Sequence, residues 1–112
     1  MTENGSGGKD YCVIMVSVGN DTEAERIART LVERRLAACV QEYPITSSYV
    51  WQGEFNRDAE ILLLIKTRSA LFPDVRDCVK ELHSYDVAEV LQVPVISGAD
   101  DYLSWIVDST SR

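Results

Sequence analysis

The sequence predicts an α+β domain whose strands and helices follow the order βαββαβ. The run from Tyr11 to Val18 is short and almost wholly apolar, which is typical of a strand covered on both faces. Two later segments carry apolar residues at helical spacing, and each of them follows an extended segment. With right-handed crossovers, this order predicts a ferredoxin-like fold in which two helices cover one face of a four-stranded antiparallel sheet.

The first helix follows Gly19-Asn20, and Asp21 or Thr22 is predicted to cap it with Glu25 as the partner in a capping box. Its apolar residues form one stripe: Ala24, Ile27, Ala28, Leu31, Val32 and Leu36. Its charged residues are expected to face water: Glu23, Glu25, Arg26, Arg29, Glu33 and Arg34.

The stretch from Ile45 to Thr67 predicts a long β-hairpin. Tyr49 and Trp51 are two residues apart and therefore share one face of a strand, and Ile61 to Ile65 is an unbroken apolar run. The connection is predicted between these arms, over Gly53, Asn56, Arg57 and Asp58, with Pro44 marking a bend before the first arm. Arms of about ten residues exceed the usual five or six, so the hairpin should overhang the domain.

A second helix begins near Ser69, with Pro73 in its first turn. The only histidine, His83, ends this helix, where a cationic ring would suit the helix dipole. The fourth strand is predicted over Val87 to Ile96, and Pro94 places it at a sheet edge or a bulge. A short closing helix from about Asp100 to Val107 completes the chain.

Composition narrows the class of protein. A chain of 112 residues suits one domain, here 11–112, after a Gly/Ser-rich stretch, 1–10, that has the composition of a flexible leader. The net charge of -7 disfavours nucleic acid and anionic membrane surfaces as partners. Three unpaired cysteines and no signal-peptide pattern predict a reducing, cytoplasmic location.

The apolar pattern also predicts self-association. Cys12 to Val16 and Ile61 to Ile65 are apolar at consecutive positions, so both faces of the sheet require burial, whereas two helices cover only one. An exposed second face would be a larger apolar patch than monomers usually carry. We therefore expect other copies of the chain to cover it, with the hairpin offering a free strand edge.

Five segments resemble the CutA divalent-cation tolerance family in order and spacing. They are LAACV (36–40), ITSSYVWQGE (45–54), the Glu60 to Thr67 strand, HSYDVAEVLQVPV (83–95) and DYLSWI (101–106). The resemblance implies a tight homotrimer similar to PII signalling proteins, with hairpins pairing between subunits, and a non-enzymatic role in the response to divalent metals such as copper. The family's His-Pro-Tyr segment corresponds to His83, Ser84 and Tyr85, so a serine replaces the proline. Copper-binding members use a first-strand cysteine and two adjacent histidines, and here Ser17 and Leu82 replace two of these, leaving His83.

Two kinds of site are predicted from the residues themselves. His83 with Glu89 or Glu60 of a neighbouring subunit would make a mixed site for Cu(II) or another divalent metal, and the alternative is a capping or surface histidine. The second hypothesis is a small anionic ligand that binds in a cleft between subunits, where a cation lies beside aromatic walls. The cleft residues are Lys66, Tyr49, Trp51, Tyr85, Tyr102 and Trp105, for which core and interface packing is the alternative.

No required cofactor and no enzymatic activity are predicted. The sequence has no Ser/His/Asp order, no CxxC pair and no HExxH helix. It also lacks a glycine-rich phosphate loop, since Gly53 and Gly98 are isolated. Glu60 and Lys66 share one strand face, which suits an intersubunit ion pair or a polar cleft.

Overall fold

A computed structural model describes residues 10–111, so the predicted leader falls almost entirely outside the described residues. The strands are β1 (Tyr11–Val18), β2 (Cys39–Trp51), β3 (Glu54–Arg68) and β4 (Val90–Pro94). The helices are α1 (Asp21–Glu33), α2 (Phe72–Leu82) and α3 (Asp100–Ser109), with a 3-10 turn, Ser69–Leu71, leading into α2. None of the helices within 10–111 has the length and apolar content needed to cross a membrane.

The four strands form one antiparallel sheet in the order β2-β3-β1-β4. The α+β prediction is confirmed: β1 and β3 are central, and both crossovers carry a helix. Strand β4 lies at an edge, as Pro94 predicts, but it begins at Val90 rather than Val87. The residues before Val90 belong instead to the loop that contains the candidate site.

The two faces of the sheet differ in how they are covered. Helices α1 and α2 bury alternate residues of β1 and β3, among them Ile14, Val16, Leu63 and Ile65, which are all 0% exposed. We call the opposite side the open face. It carries apolar residues that the chain leaves half-buried or exposed: Val13, Met15, Leu62, Leu64, Leu91 and Val93.

Helix α3 covers one end of the open face, which the element order alone did not reveal. Leu103 and Ile106 pack on Tyr11 and Ala38. The Arg68 guanidinium donates to the Thr110 hydroxyl at 2.8 Å and to its carbonyl at 2.9 Å, which satisfies polar groups at the helix end. Helix α3 therefore covers one end of the open face, and no helix covers the rest of it within the described residues.

Helix α1 differs from the prediction at its start. The cap is Asn20, whose side chain accepts a hydrogen bond from the Glu23 backbone N–H at 2.9 Å, rather than Asp21 or Thr22. The Glu23 side chain was expected to face water. This prediction is wrong, because Glu23 is only 6% exposed. Its buried position is the basis of the site described below.

The hairpin is longer and its turn tighter than predicted. Strands β2 and β3 span 13 and 15 residues and are joined by Gln52 and Gly53 alone. Both turn residues have positive φ, 52° and 82°, as in the type I′ turns that match strand twist. Residues 56–58 therefore lie within β3, and Pro44 lies within β2, where an edge strand tolerates the missing N–H.

Candidate functional site

His83 lies at the end of α2 and turns its ring into the protein, with a side chain that is 1% exposed. Nε2 lies 2.7 Å from the Ser17 carbonyl oxygen, and Nδ1 lies 3.1 Å from the backbone N of Tyr85. A carbonyl only accepts and a peptide N–H only donates, so Nε2 carries the proton and Nδ1 accepts. The ring thus connects β1 to the following loop. His83 is the C-cap residue of α2, as the capping alternative predicts, but its ring is buried rather than at the surface.

The loop after His83 is held by the buried carboxylate of Glu23. Its two oxygens accept from the Ser84 backbone N–H and from the Ser84 hydroxyl, both at 2.9 Å. Glu23 also lies 3.4 Å from Nδ1 of His83. A proline at position 84 could donate neither of these hydrogen bonds, so this chain fixes the loop with a serine and a carboxylate.

Tyr85 links the same loop to the hairpin. Its hydroxyl donates to the Glu60 carboxylate at 2.6 Å, and Glu60 is only 7% exposed. Burial of the hydroxyl, followed by the hydrogen bond to Glu60, raises the pKa of Tyr85 well above its usual range. Tyr85 is therefore a neutral donor throughout the physiological pH range.

The three residues predicted to bind a metal lie at this one end of the sheet. Glu89 accepts a hydrogen bond from the Ser17 hydroxyl at 3.3 Å, and the Ser17 carbonyl oxygen accepts from His83. Glu60 accepts from the Tyr85 hydroxyl. Both ring nitrogens of His83 are already engaged within its own chain. Across residues 10–111, no group of three or more His, Cys, Asp or Glu side chains is arranged to hold a metal ion. The metal site therefore stays a prediction.

The loop and the hairpin enclose a small cavity that we call the aromatic cleft. It has a volume of about 210 Å³ and is lined by Tyr49, Trp51, Tyr85, Asp86 and Val87. The Tyr49 hydroxyl donates to Asp58 at 2.5 Å, and this hydrogen bond raises the pKa of Tyr49. Three of the predicted cleft residues are thus brought together by one chain.

The other three predicted cleft residues form a separate group. The Lys66 ammonium lies 5.6 Å from the centre of the Tyr102 ring, which packs against Trp105 at 5.5 Å between centroids. Lys66 is six positions beyond Glu60 on β3, about 20 Å at the rise of an extended strand. Within one chain, Lys66 therefore cannot contact a ligand in the aromatic cleft. Glu60 and Lys66 do not pair within the chain either.

Four residues of this region were missed at the sequence level: Glu23, Ser84, Asp58 and Asp86. Glu23 and Ser84 are 61 positions apart, and no local pattern joins them. Asp58 was assigned to a turn, although its place in β3, directly across from Ser47, points it toward Tyr49. A correct turn at residues 52–53 would have put Asp58 on the same strand face as Glu60.

Comparisons with known proteins agree over nearly the whole described fold. The family described as CutA1 divalent ion tolerance protein matches residues 12–109. The divalent-cation tolerance protein CutA of Thermus thermophilus is 44% identical over 99 residues, which cover 88% of this chain and 96% of that protein. Human protein CutA is 48% identical over 92 residues, covering 81% of this chain, and the chain spans about half of the human protein (51%).

The solved structures agree on the fold as well. The crystal structure of CutA1 from Oryza sativa is 40% identical, with a TM-score of 0.89, and the match covers 92% of this chain and 95% of that one. The four antiparallel strands and three helices found here are thus those of a solved CutA1 protein. The chain belongs to the CutA1 divalent ion tolerance protein family.

Proposed function

We propose that the chain is a ferredoxin-like subunit of a homotrimer that acts, without catalysis, as a binding or signalling module in the response to divalent metal ions. The observation that carries this proposal is the open face. Leu91 and Val93 are 55% and 42% exposed there, beside half-buried residues of β1 and β3. An apolar sheet face of this kind is usually covered by another protein surface. A second copy of the chain is the simplest partner, because it is present wherever the chain is made.

The shape of the chain supports association through the hairpin. The molecule extends over 53 Å along its long axis but only 25 and 22 Å across it. At the hairpin end, Val50 and its cross-strand neighbour Phe55 are 68% and 70% exposed. Strand β2 lies at a sheet edge and offers unpaired backbone groups to a neighbouring strand.

The oligomer is tested by light scattering at micromolar concentration. We expect a mass three times the 12.5 kDa of one chain. A charge placed in the open face, Leu91→Glu, should dissociate the assembly, while Val87→Glu, on the exposed loop before β4, should leave it intact. A mass of one chain for the unsubstituted protein would contradict the proposal.

The metal response is proposed to use carboxylates at the end of the sheet. Glu60 and Glu89 are linked to His83 through Tyr85 and Ser17, and copies of the chain would combine these carboxylates into one site. A thermal-shift titration with Cu(II) or Zn(II) tests this, because a ligand that binds only the folded protein raises its melting temperature. The rise should vanish in Glu89→Gln and persist in Glu54→Gln, at the exposed hairpin turn. An equal rise in both variants would exclude a site at Glu89.

An anion-binding signalling trimer is the second candidate, and one observation favours it. Among residues 10–111, no carboxylate lies within 4.0 Å of the half-buried Lys66 ammonium, so its charge is available to a ligand beside Tyr102. Stabilisation by inorganic phosphate or a nucleotide that is lost in Lys66→Ala and retained in Lys80→Ala would support it. The absence of any anion-dependent shift would refute it.

We further propose a cytoplasmic location. All three cysteines have free thiols, and the pKa values of the Cys12 and Cys78 thiols are raised by burial, so these groups are poor nucleophiles. Free buried thiols suit a reducing compartment. Fractionation of cells that produce the full-length protein should find it in the cytosol, and recovery from another compartment would contradict this.

A further inference from the structure

The aromatic cleft has a composition that neither metal binding nor anion binding uses. Of its five lining residues, three are aromatic and one, Asp86, is acidic. The lining contains no lysine, arginine or histidine. Tyr49, Trp51 and Tyr85 are 41% to 46% exposed in the single chain.

Two further carboxylates lie at the hydroxyl ends of the tyrosine rings. The Tyr49 hydroxyl donates to Asp58 and the Tyr85 hydroxyl donates to Glu60, at 2.5 and 2.6 Å. Each hydroxyl is thereby turned toward its carboxylate rather than offered to a ligand. The cleft therefore combines aromatic rings, whose faces carry negative potential, with three negative charges in or next to its wall.

This combination excludes several classes of ligand. An anion would be repelled by Asp86, Asp58 and Glu60. A hard divalent metal needs several oxygen ligands, and the lining supplies one carboxylate. A neutral apolar group would gain only from burial and would make no use of the charge. A cation whose charge is spread over an apolar surface uses both the rings and the carboxylates.

We propose that the aromatic cleft binds a methylated ammonium group. Methyl groups on the nitrogen can contact Val87 and the ring faces, and such a cation needs no hydrogen-bond acceptor. The volume of about 210 Å³ lies below the range of drug-sized sites, which suits a head group of a few heavy atoms. All lining residues come from one chain, and none of them is a predicted metal ligand. The cleft has to stay open to solvent in the proposed trimer.

The same chemistry occurs in two sources: a free quaternary ammonium molecule such as choline, or a trimethylated lysine in another protein. Both present a trimethylammonium group, and they differ in what is attached to it. The test therefore includes choline as one arm and a short trimethyllysine peptide, with its unmethylated counterpart, as the other. Tighter binding of the methylated peptide than of choline would assign a protein source, and the reverse a small molecule.

Trp51 supplies the readout, because the chain has only two tryptophans and the other can be replaced. In a Trp105→Phe background, choline should change the Trp51 emission saturably, at constant ionic strength. The matched control ligand is 3,3-dimethyl-1-butanol, which has the shape of choline without its charge. We expect choline to bind at least about tenfold more tightly than this alcohol.

Substitutions locate the site in the same background. Tyr49→Leu should weaken choline binding about tenfold, while Tyr49→Phe keeps the ring and should change it by no more than about twofold. Asp86→Asn should weaken binding of choline but not of the alcohol. Tyr102→Leu, at the far end of the sheet, is the control and should have no effect. Equal binding of choline and the alcohol, or unchanged Trp51 emission up to about 100 mM choline and with either peptide, would overturn the proposal.

Discussion

Replacing Glu23 by alanine tests whether a buried carboxylate holds the loop that forms one wall of the aromatic cleft. The substitution removes two charge-assisted hydrogen bonds to Ser84, each 2.9 Å long. Such bonds contribute about 1.5 to 3 kcal/mol each when their partners are left without replacement. Ser84 is exposed, so water replaces part of what is lost, and we expect the free energy of unfolding to fall by about 2 to 3 kcal/mol.

Urea unfolding at fixed protein concentration measures this loss. With a slope of about 1 to 3 kcal/mol per molar urea, the midpoint should fall by about 0.7 to 3 M. The matched control is Glu25→Ala in the same helix, which removes only an exposed ion pair with Arg29 and should leave the urea midpoint nearly unchanged. If both variants lose the same stability, or if Glu23→Ala and Ser84→Ala show no coupling in a double-mutant cycle, the assigned role of Glu23 is wrong.

The remaining predictions concern the histidine, the Tyr85 hydroxyl and the hairpin turn. At neutral pH, the long-range ¹H–¹⁵N spectrum of His83, the only histidine, should show the Nε2–H tautomer, and a protonated Nδ1 would contradict the bond to the Tyr85 N–H. Tyr85→Phe should cost about 1 to 2 kcal/mol at neutral pH, because the buried Glu60 loses its donor. Because folding raises the pKa of Tyr85, the stability that its hydroxyl contributes is complete below the unfolded pKa of about 10 and is lost as pH rises through the folded pKa. The difference in urea stability between the unsubstituted protein and Tyr85→Phe should therefore shrink at alkaline pH. A constant difference would refute this. Gln52→Asn should stabilise the turn by about 0.5 to 1 kcal/mol, because asparagine favours positive φ. Gly53→Ala should destabilise it by about 1 to 2 kcal/mol through the φ of 82° alone. Melting temperatures that move in the opposite directions would exclude the type I′ turn.

Much of the fold could be predicted because it depends on short-range patterns. The apolar run of Tyr11–Val18 gave its strand with the observed bounds, and Pro94 correctly placed β4 at an edge. The turn was predicted too broadly, because Asn56 and Asp58 favour turns as isolated residues. In the folded chain their strand positions and cross-strand partners outweigh that preference, as the pairing of Asn56 with Tyr49 shows.

The candidate site was less accessible to prediction. Tyr49, Trp51 and Tyr85 were correctly grouped, but Lys66 and Tyr102 were assigned to the same cleft, although β3 separates the two groups by about 20 Å. Aromatic composition indicates that a binding surface exists, and it carries no information about distance. Glu23 was assigned to water together with the other charged residues of its helix, and its actual partner lies 61 positions away.

The sequence by itself determined the order of strands and helices, the family and the presence of an apolar second sheet face. These properties follow from periodicity, turn chemistry and segment identity, all of which act over a few residues. Only the tertiary structure decided that Glu23 is buried against Ser84, that both nitrogens of His83 are engaged, and that α3 covers one end of the open face. The physical reason is that burial and hydrogen bonding depend on which segments meet in space. Ser17, Glu23 and Glu60 lie on three different elements, and the sheet and its two crossovers bring each of them to the 83–85 loop.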